Sequence, residues 1–166
     1  IMKRGRIIMH KKLSLFLALV MVLSLFAGCG AKTSSNKAVD DAKGEETIKV
    51  GLDYELTGNV ATYGQGLTEG IELAVEEVNN AGGVLGKKIE LVKADNKSDS
   101  AESANVATKL ATRDKVVAIL GPATSGNTKA ASPVAMQNKV PLISASATAD
   151  DVTVGSNGKV RSYIFK

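Results

Sequence analysis

The stretch VVAILGPATSGNTKAASPVA, residues 116–135, decides the fold class. Five apolar residues form a run typical of a buried strand, a Gly-Pro turn follows, and small residues at helical spacing come next. The same order occurs earlier, with a strand at residues 48–54 and a helix whose apolar positions run from Leu67 to Val78. This alternation predicts an α/β fold built on a Rossmann-like, doubly wound parallel sheet.

Five strands and three helices are expected in all. The other strands are predicted at residues 87–95, 141–144 and 160–166. The second helix is predicted to begin after Asp99, since an acidic residue with Glu102 three positions later is typical of a helix N-terminus.

The first 28 residues have the three parts of a bacterial lipoprotein signal peptide. Five lysines and arginines precede an apolar run at residues 13–26, which is shorter than the roughly 20 residues that a membrane-spanning helix needs. Small residues then precede Cys29, the only cysteine. This order resembles a lipobox, so we expect residues 1–28 to be removed and Cys29 to be lipidated. An uncleaved anchor with a free cysteine is the alternative.

The charge of the chain is concentrated in this leader. Subtracting its five basic side chains from the 21 in the chain leaves 16 basic against 17 acidic, so the rest is near neutral. That balance gives no support to a nucleic-acid-binding surface. Residues 29–46 are small, polar and charged, and are predicted to be a flexible tether. The domain plan is therefore a signal peptide, a tether and a folded body at residues 47–166, working outside the cell membrane.

The commonest catalytic groups are missing after the leader. The only histidine is His10, and Cys29 is the only thiol, so no Ser-His, Cys-His or His-metal constellation can form in the mature chain. Asp150 and Asp151 are adjacent, and we interpret them as caps of a short helical segment. We predict no catalytic residue, metal or cofactor, and a carboxylate-dependent hydrolase is the enzyme alternative.

The turn GPATSGNT, residues 121–128, suits an anion that is bound without being transformed. It lacks the lysine of a phosphate loop, and the glycines of GQGLTEG have one residue too many for a dinucleotide fingerprint. Unpaired N–H groups at a helix start favour an anion, and Thr124, Ser125 and Thr128 add hydroxyl donors. A simple N-cap without a ligand is the alternative from this stretch alone.

Two further loops are expected beside this turn, because βα loops converge beyond the carboxyl ends of parallel strands. The loop after the first strand carries Tyr63, and SASATADD follows the fourth strand. Ser144, Ser146 and Thr148 offer hydroxyls, and the Ser146 carbonyl can accept from an ammonium group. Donors on one loop and an acceptor on another describe a site for a zwitterion.

Several motifs occur in an order that resembles a known family. They are G-x-x-x-x-L-T-G, Y-G, N-x-x-G-G-x-x-G-x-x-I, G-P-x-x-S and P-x-I-S-x-x-A-T, spread from Ile48 towards the end of the chain. Together they resemble the type I periplasmic-binding-protein receptors that serve ABC importers of branched-chain amino acids.

The resemblance implies two Rossmann-like lobes that close on a ligand, of which this chain covers the first. It implies that Ser125 binds the carboxylate with help from Thr148, that the Ser146 carbonyl takes the ammonium group, and that Tyr63 borders the side-chain pocket. With Thr124 these form the predicted ligand-binding set.

It also implies a monomeric receptor that delivers an aliphatic amino acid to a membrane permease and its ATPase. The same scaffold tuned to an amide, urea or aromatic acid is one alternative, and a purely structural lipoprotein is another.

Overall fold

The computed structural model describes residues 46–166, which form a five-stranded sheet and three α-helices. The elements in chain order are β1 (Ile48–Tyr54), α1 (Ala61–Asn80), β2 (Ile89–Asp95), α2 (Ser100–Lys109), β3 (Ala118–Leu120), α3 (Ser125–Asn138), β4 (Leu142–Ile143) and β5 (Ile164–Phe165). A π-helical turn, Leu110–Asp114, extends α2, and a 3₁₀ turn, Asp150–Val152, follows β4. The predicted signal peptide, Cys29 and the tether up to residue 45 lie outside the described residues.

The sheet is parallel throughout, with the strand order β2-β1-β3-β4-β5. In its register Ile48 lies opposite Ile89, and Ile119 opposite Leu142. β2 lies on one side of β1, and β3, β4 and β5 follow on the other, so the strand order reverses direction between β1 and β3. The predicted fold class is confirmed, and the reversal marks the place where ligands bind in such sheets.

The main hydrophobic core lies between the sheet and the helices α2 and α3. Its members include buried apolar residues of both helices, of the π-helical turn and of three strands: Val106, Ala107, Leu110, Ala131, Ala135, Ile119, Leu142 and Ile164. Alanines on α3 allow it to approach α2 closely. The opposite face of the sheet holds a smaller cluster around Leu52 and Tyr54, against which Leu67 and Ile71 of α1 are half-buried.

Two helix boundaries follow from local chemistry. The Asp99 Oδ1 accepts a hydrogen bond of 2.8 Å from the Glu102 N–H and caps α2. After α1, Gly82 and Gly83 adopt φ values of 108° and 78°, which a side chain would disfavour. No helix among residues 46–166 has the length and apolarity to cross a bilayer.

Two predictions about loop residues are wrong. Tyr63 lies in the first turn of α1 and not in a loop. The neighbouring Gly64 is itself a helix position, and a Cβ there would meet the Glu55 carbonyl oxygen at 2.2 Å. Asp150 and Asp151 cap nothing, since the 3₁₀ turn has no side-chain cap. Asp151 instead pairs with Lys129 of α3 at 2.9 Å.

Candidate functional site

An open cavity of about 280 Å³ lies where the carboxyl ends of β1, β3 and β4 meet. It is lined by the start of α1, the turn between β3 and α3, and the loop after β4. The lining residues are Val60, Tyr63, Ala123, Thr124, Ser125, Ser146 and Thr148. All five predicted ligand-binding residues are thus brought together at one surface.

Ser125 lies between the β3–α3 turn and the loop after β4. Its Oγ accepts hydrogen bonds from the backbone N–H groups of Thr148 (3.1 Å) and Ala149 (3.2 Å). Both bonds use oxygen lone pairs, so the hydroxyl proton of Ser125 stays free to be donated. The loop after β4 therefore fixes the Ser125 side chain in place, and the hydroxyl can still donate to a ligand in the cavity.

Other hydroxyls of these loops bind the backbone. Ser146 donates to the Ala123 carbonyl at 2.7 Å, and Ser144 donates to the Pro122 carbonyl. Thr128, which has no exposed surface, donates to the carbonyl of its own helical turn. Thr128 and Ser144 are thus structural, contrary to the suggestion that they offer hydroxyls to a ligand. Ser146 retains its carbonyl, which accepts no hydrogen bond from the residues that the structure describes.

Thr124 is the N-cap of α3, and its hydroxyl is used twice. The Oγ1 accepts from the Asn127 N–H at 3.4 Å and donates to Glu55 Oε1 at 2.9 Å. Its proton is therefore directed away from the cavity, and Thr124 contributes its remaining surface to the lining.

Glu55 is the residue of the site that the sequence analysis missed. It follows β1 directly, has no exposed surface, and accepts from the N–H groups of Ala123 (2.9 Å) and Thr124 (3.1 Å) and from Asn127 Nδ2 (2.9 Å). The sequence did contain a signal for it. An acidic residue directly after an apolar strand lies close to the core, and such residues are rarely fully buried unless they have partners. Its carboxylate supports the β3–α3 turn from behind.

Asp53 lies two residues earlier on β1 and is also fully buried. Burial raises the pKa of Asp53 to about 7, hydrogen bonds from Asn96 Nδ2 (2.9 Å) and Ser103 Oγ (3.0 Å) oppose the rise, and the charge of Glu55 adds to it. Burial, with the charges of Glu55 and Asp53, also raises the pKa of Tyr54 to about 12. The layer beneath the cavity is therefore a buried, acidic polar network.

A cation, Lys166, binds the loop after β4. Lys166 Nζ donates to the carbonyls of Thr148 (3.3 Å) and Ala149 (3.1 Å) and lies 3.5 Å from Asp150. The described residues that line the cavity include no charged side chain. The cavity thus offers hydroxyls, N–H groups and a carbonyl, which suit a ligand that carries both charges.

Two larger cavities, each about 370 Å³, lie on the outer face of α2 and beside the segment 155–162. Neither lies at the carboxyl ends of the strands. We take the smaller cavity as the candidate site because the βα loops converge there. Among residues 46–166 no group of three potential metal-binding side chains is present.

Three known proteins that this chain resembles are solute-binding proteins. A family model described as periplasmic binding protein matches residues 47–165. The Leu/Ile/Val-binding protein BraC3 of Rhizobium johnstonii is 38% identical over 106 residues, which cover 64% of this chain and 29% of that protein.

Two solved structures are also similar. The branched-chain amino acid transporter substrate-binding protein LivJ of Streptococcus pneumoniae, in complex with isoleucine, is 50% identical with a TM-score of 0.68, over 72% of this chain and 33% of that one. A solute-binding protein of an ABC transporter from Rhodopseudomonas palustris BisB5, in complex with 3,4-dihydroxy benzoic acid, is 33% identical with a TM-score of 0.63, over 72% and 32%.

This chain thus spans about a third of the length of these relatives. The fold is that of type I members, and the matched region contains the whole described sheet and the cavity residues. The chain belongs to the periplasmic binding protein family.

Proposed function

We propose that this chain is the first lobe of an extracytoplasmic solute receptor of an ABC importer, and that it binds a branched-chain amino acid for delivery to a membrane permease. The observation that carries the proposal is the Ser125 hydroxyl, fixed by two N–H groups with its own proton free, in one cavity with the Ser146 carbonyl. The 50% identity to the isoleucine-bound LivJ supports the choice of ligand.

The ligand carboxylate accepts from the hydroxyls of Ser125 and Thr148. The N–H groups of Ser125 and Gly126 add to this, because they begin α3 and make no hydrogen bond with other described residues. The ammonium group donates to the Ser146 carbonyl. The aliphatic side chain lies against Tyr63, which is 68% exposed and forms an open wall.

The rest of the receptor plan is part of the same proposal. Residues 1–28 are a signal peptide, Cys29 is lipidated, residues 29–46 are a tether, and residues 47–166 are the ligand-binding lobe. A second lobe supplies the opposite wall of the cleft, and closure creates the form that the permease and its ATPase use. The receptor acts as a monomer and without catalysis, since its groups hold the ligand and none of them is placed to transform it.

The test is a titration of the purified protein with L-isoleucine, followed by the amide NMR shifts of residues 121–128 and 144–149, which detects binding even when one lobe binds weakly. We expect saturable shifts in both loops. Ser125→Ala removes a hydrogen bond to a charged group, worth about 1.5 to 3 kcal/mol, so the affinity should fall about ten-fold or more. Ser162→Ala, at an exposed position, is the matched control and should leave the affinity unchanged.

A second candidate is an aromatic acid, favoured by the dihydroxybenzoate complex of the Rhodopseudomonas palustris relative. Native mass spectrometry of freshly purified protein separates the two by the mass of any ligand retained. Shifts with 3,4-dihydroxybenzoate but not with isoleucine would replace the first assignment. Loop shifts with neither would favour a purely structural lipoprotein.

A further inference from the structure

Glu55 places a negative charge directly behind the proposed carboxylate site. Its Oε1 lies 2.9 Å from the Thr124 hydroxyl and 3.1 Å from the Thr124 N–H, and Thr124 itself lines the cavity. One side chain therefore separates the buried carboxylate from the ligand. Because Glu55 has no exposed surface, solvent screens its charge only weakly.

The charge of Glu55 is stabilised by hydrogen bonds and not by a cation. All its side-chain partners are donors from the β3–α3 turn or the first turn of α3, and none of the ion pairs found among residues 46–166 includes it. Two cations are attached to the loop after β4, and each has partners of its own: Lys166 is held by two carbonyls and lies near Asp150, and Lys129 pairs with Asp151. The negative potential of Glu55 thus extends into the cavity.

Glu55 also occupies part of the positive helix terminus. The N–H groups of Ala123 and Thr124 point to its carboxylate, so they are unavailable to a ligand. An incoming anion finds a helix start that already holds one anion of the protein. Glu55 therefore repels a carboxylate that binds there, and a positive group on the same ligand offsets that repulsion.

We propose that Glu55 is a specificity-determining and positioning residue, which makes the site select a zwitterion over a monoanion of the same shape. It positions the turn by its hydrogen bonds and selects by its charge. The inference rests on the proposed function, because it concerns the same cavity and deepens it by naming the charge of the ligand class.

The experiment compares L-isoleucine with 3-methyl-2-oxopentanoate, which keeps the carboxylate and the branched side chain but has an oxygen in place of the ammonium group. Amide NMR titrations give the dissociation constants of both for the wild type, for Glu55→Gln and for Glu77→Gln. The last is a matched control at an exposed position of α1. 3,4-Dihydroxybenzoate serves as a second monoanion.

The wild type should prefer isoleucine to the oxo acid by at least about ten-fold, since like charges repel across a short, weakly screened distance. Glu55→Gln should weaken isoleucine binding through the disturbed turn and reduce the preference at least five-fold, while Glu77→Gln keeps it. A purely structural role would weaken both ligands equally, so an unchanged ratio in Glu55→Gln overturns the proposal.

The wild-type comparison stands even if Glu55→Gln does not fold. Equal wild-type affinities for isoleucine and the oxo acid, or tighter binding of 3,4-dihydroxybenzoate, overturn the charge selection while leaving a ligand site in place. Loop shifts with none of the three ligands overturn the proposed function itself, and the inference with it.

Discussion

Asp53 is a single residue whose protonation is tied to folding. Its carboxyl group is buried at the end of β1, which raises its pKa from the ordinary 3.8 to about 7. The folded protein therefore holds this proton at pH values where the unfolded chain has released it. Because the unfolded state then binds fewer protons, the unfolding free energy contributed by Asp53 falls as pH rises from about 4 to about 7.

Asp53→Asn should remove this dependence. The amide can still accept from Asn96 Nδ2, and its NH₂ group can donate to the Ser103 hydroxyl, whose own proton has the Asn127 carbonyl as a second acceptor at 3.3 Å. The stability advantage of the variant over the wild type should grow by up to about 3 kcal/mol from pH 5 to pH 8. Urea unfolding at both pH values measures it, and an advantage that does not change with pH would contradict the predicted titration.

Gly121 is the residue that lets the β3–α3 turn approach β1. Its φ is 100°, and a Cβ there would lie 2.2 Å from the Asp53 carbonyl oxygen. Gly121→Ala should therefore destabilise the protein by at least about 3 kcal/mol, from backbone strain and the clash together.

Gly126, five residues later in α3, is the matched control. A Cβ at this position meets nothing closer than Ser100 Oγ at 3.8 Å. Gly126→Ala should leave the stability unchanged or increase it by about 0.5 to 1 kcal/mol, because alanine favours the helix. Similar urea midpoints for the two variants would show that the space around position 121 is not limiting.

At the scale of elements, the helix starts differ in how they are stabilised. In α2 the Asp99 side chain supplies the cap, whereas the N-cap residue of α1, Val60, makes no side-chain cap hydrogen bond. In α3 the cap is Thr124, whose hydroxyl also donates to Glu55. The cap of α2 follows from local sequence alone, whereas the cap of α3 also bonds to Glu55, which follows β1 and is distant in the sequence.

Asp99→Ala should cost about 1 kcal/mol of unfolding free energy, because the Glu102 N–H loses its acceptor. Asp99→Asn keeps an oxygen acceptor and is the matched control, with a loss of only a few tenths of a kcal/mol. Chemical denaturation of both variants tests the difference. Equal losses would mean that the charge of Asp99, and not its hydrogen bond, stabilises α2.

The bounds of some elements could be predicted from the sequence, and those of others could not. The strand at residues 48–54 was predicted at its observed bounds, because its apolar run ends in a clear turn. β4 and β5 have only two paired residues each, since flanking residues leave the sheet for loops. The sequence places the start of α1 too late, because Gly64 and Gly66 suggest a loop. Only the structure shows why residue 64 is a glycine: a Cβ there would clash with the Glu55 backbone.

At the scale of the whole molecule, the two faces of the sheet are covered unequally. Two helices and most of the buried side chains lie on one face, while α1 on the other buries only Gly64 and Thr68 fully. Alternate residues of β4 and β5 show the same division, with Leu142 and Ile164 buried but Ile143 and Phe165 41% and 53% exposed.

This asymmetry predicts uneven local stability. Backbone amides of α1 should exchange with deuterium at least about ten-fold faster than those of α3, because fewer buried contacts oppose the local opening of α1. Hydrogen exchange of the purified protein, read by mass spectrometry, provides the comparison. Equal protection of the two helices would mean that the molecule opens as one cooperative unit.

The sequence by itself determined the α/β class, the order of the elements and the loops that meet at the cavity. These follow from local patterns, since strand runs, helical spacing and turn residues act over a few neighbouring positions. The resemblance to a receptor family added roles for individual hydroxyls, and those roles stay predictions.

Only the tertiary structure decided which polar groups are free. Ser125 keeps its proton because N–H groups 23 and 24 residues away approach its oxygen, while Ser144 and Thr128 give theirs to carbonyls. Glu55 was missed because its partners lie 68 to 72 residues further along the chain. A hydrogen bond joins atoms that are near in space, and nearness in space between distant segments is set by the packing of the whole sheet.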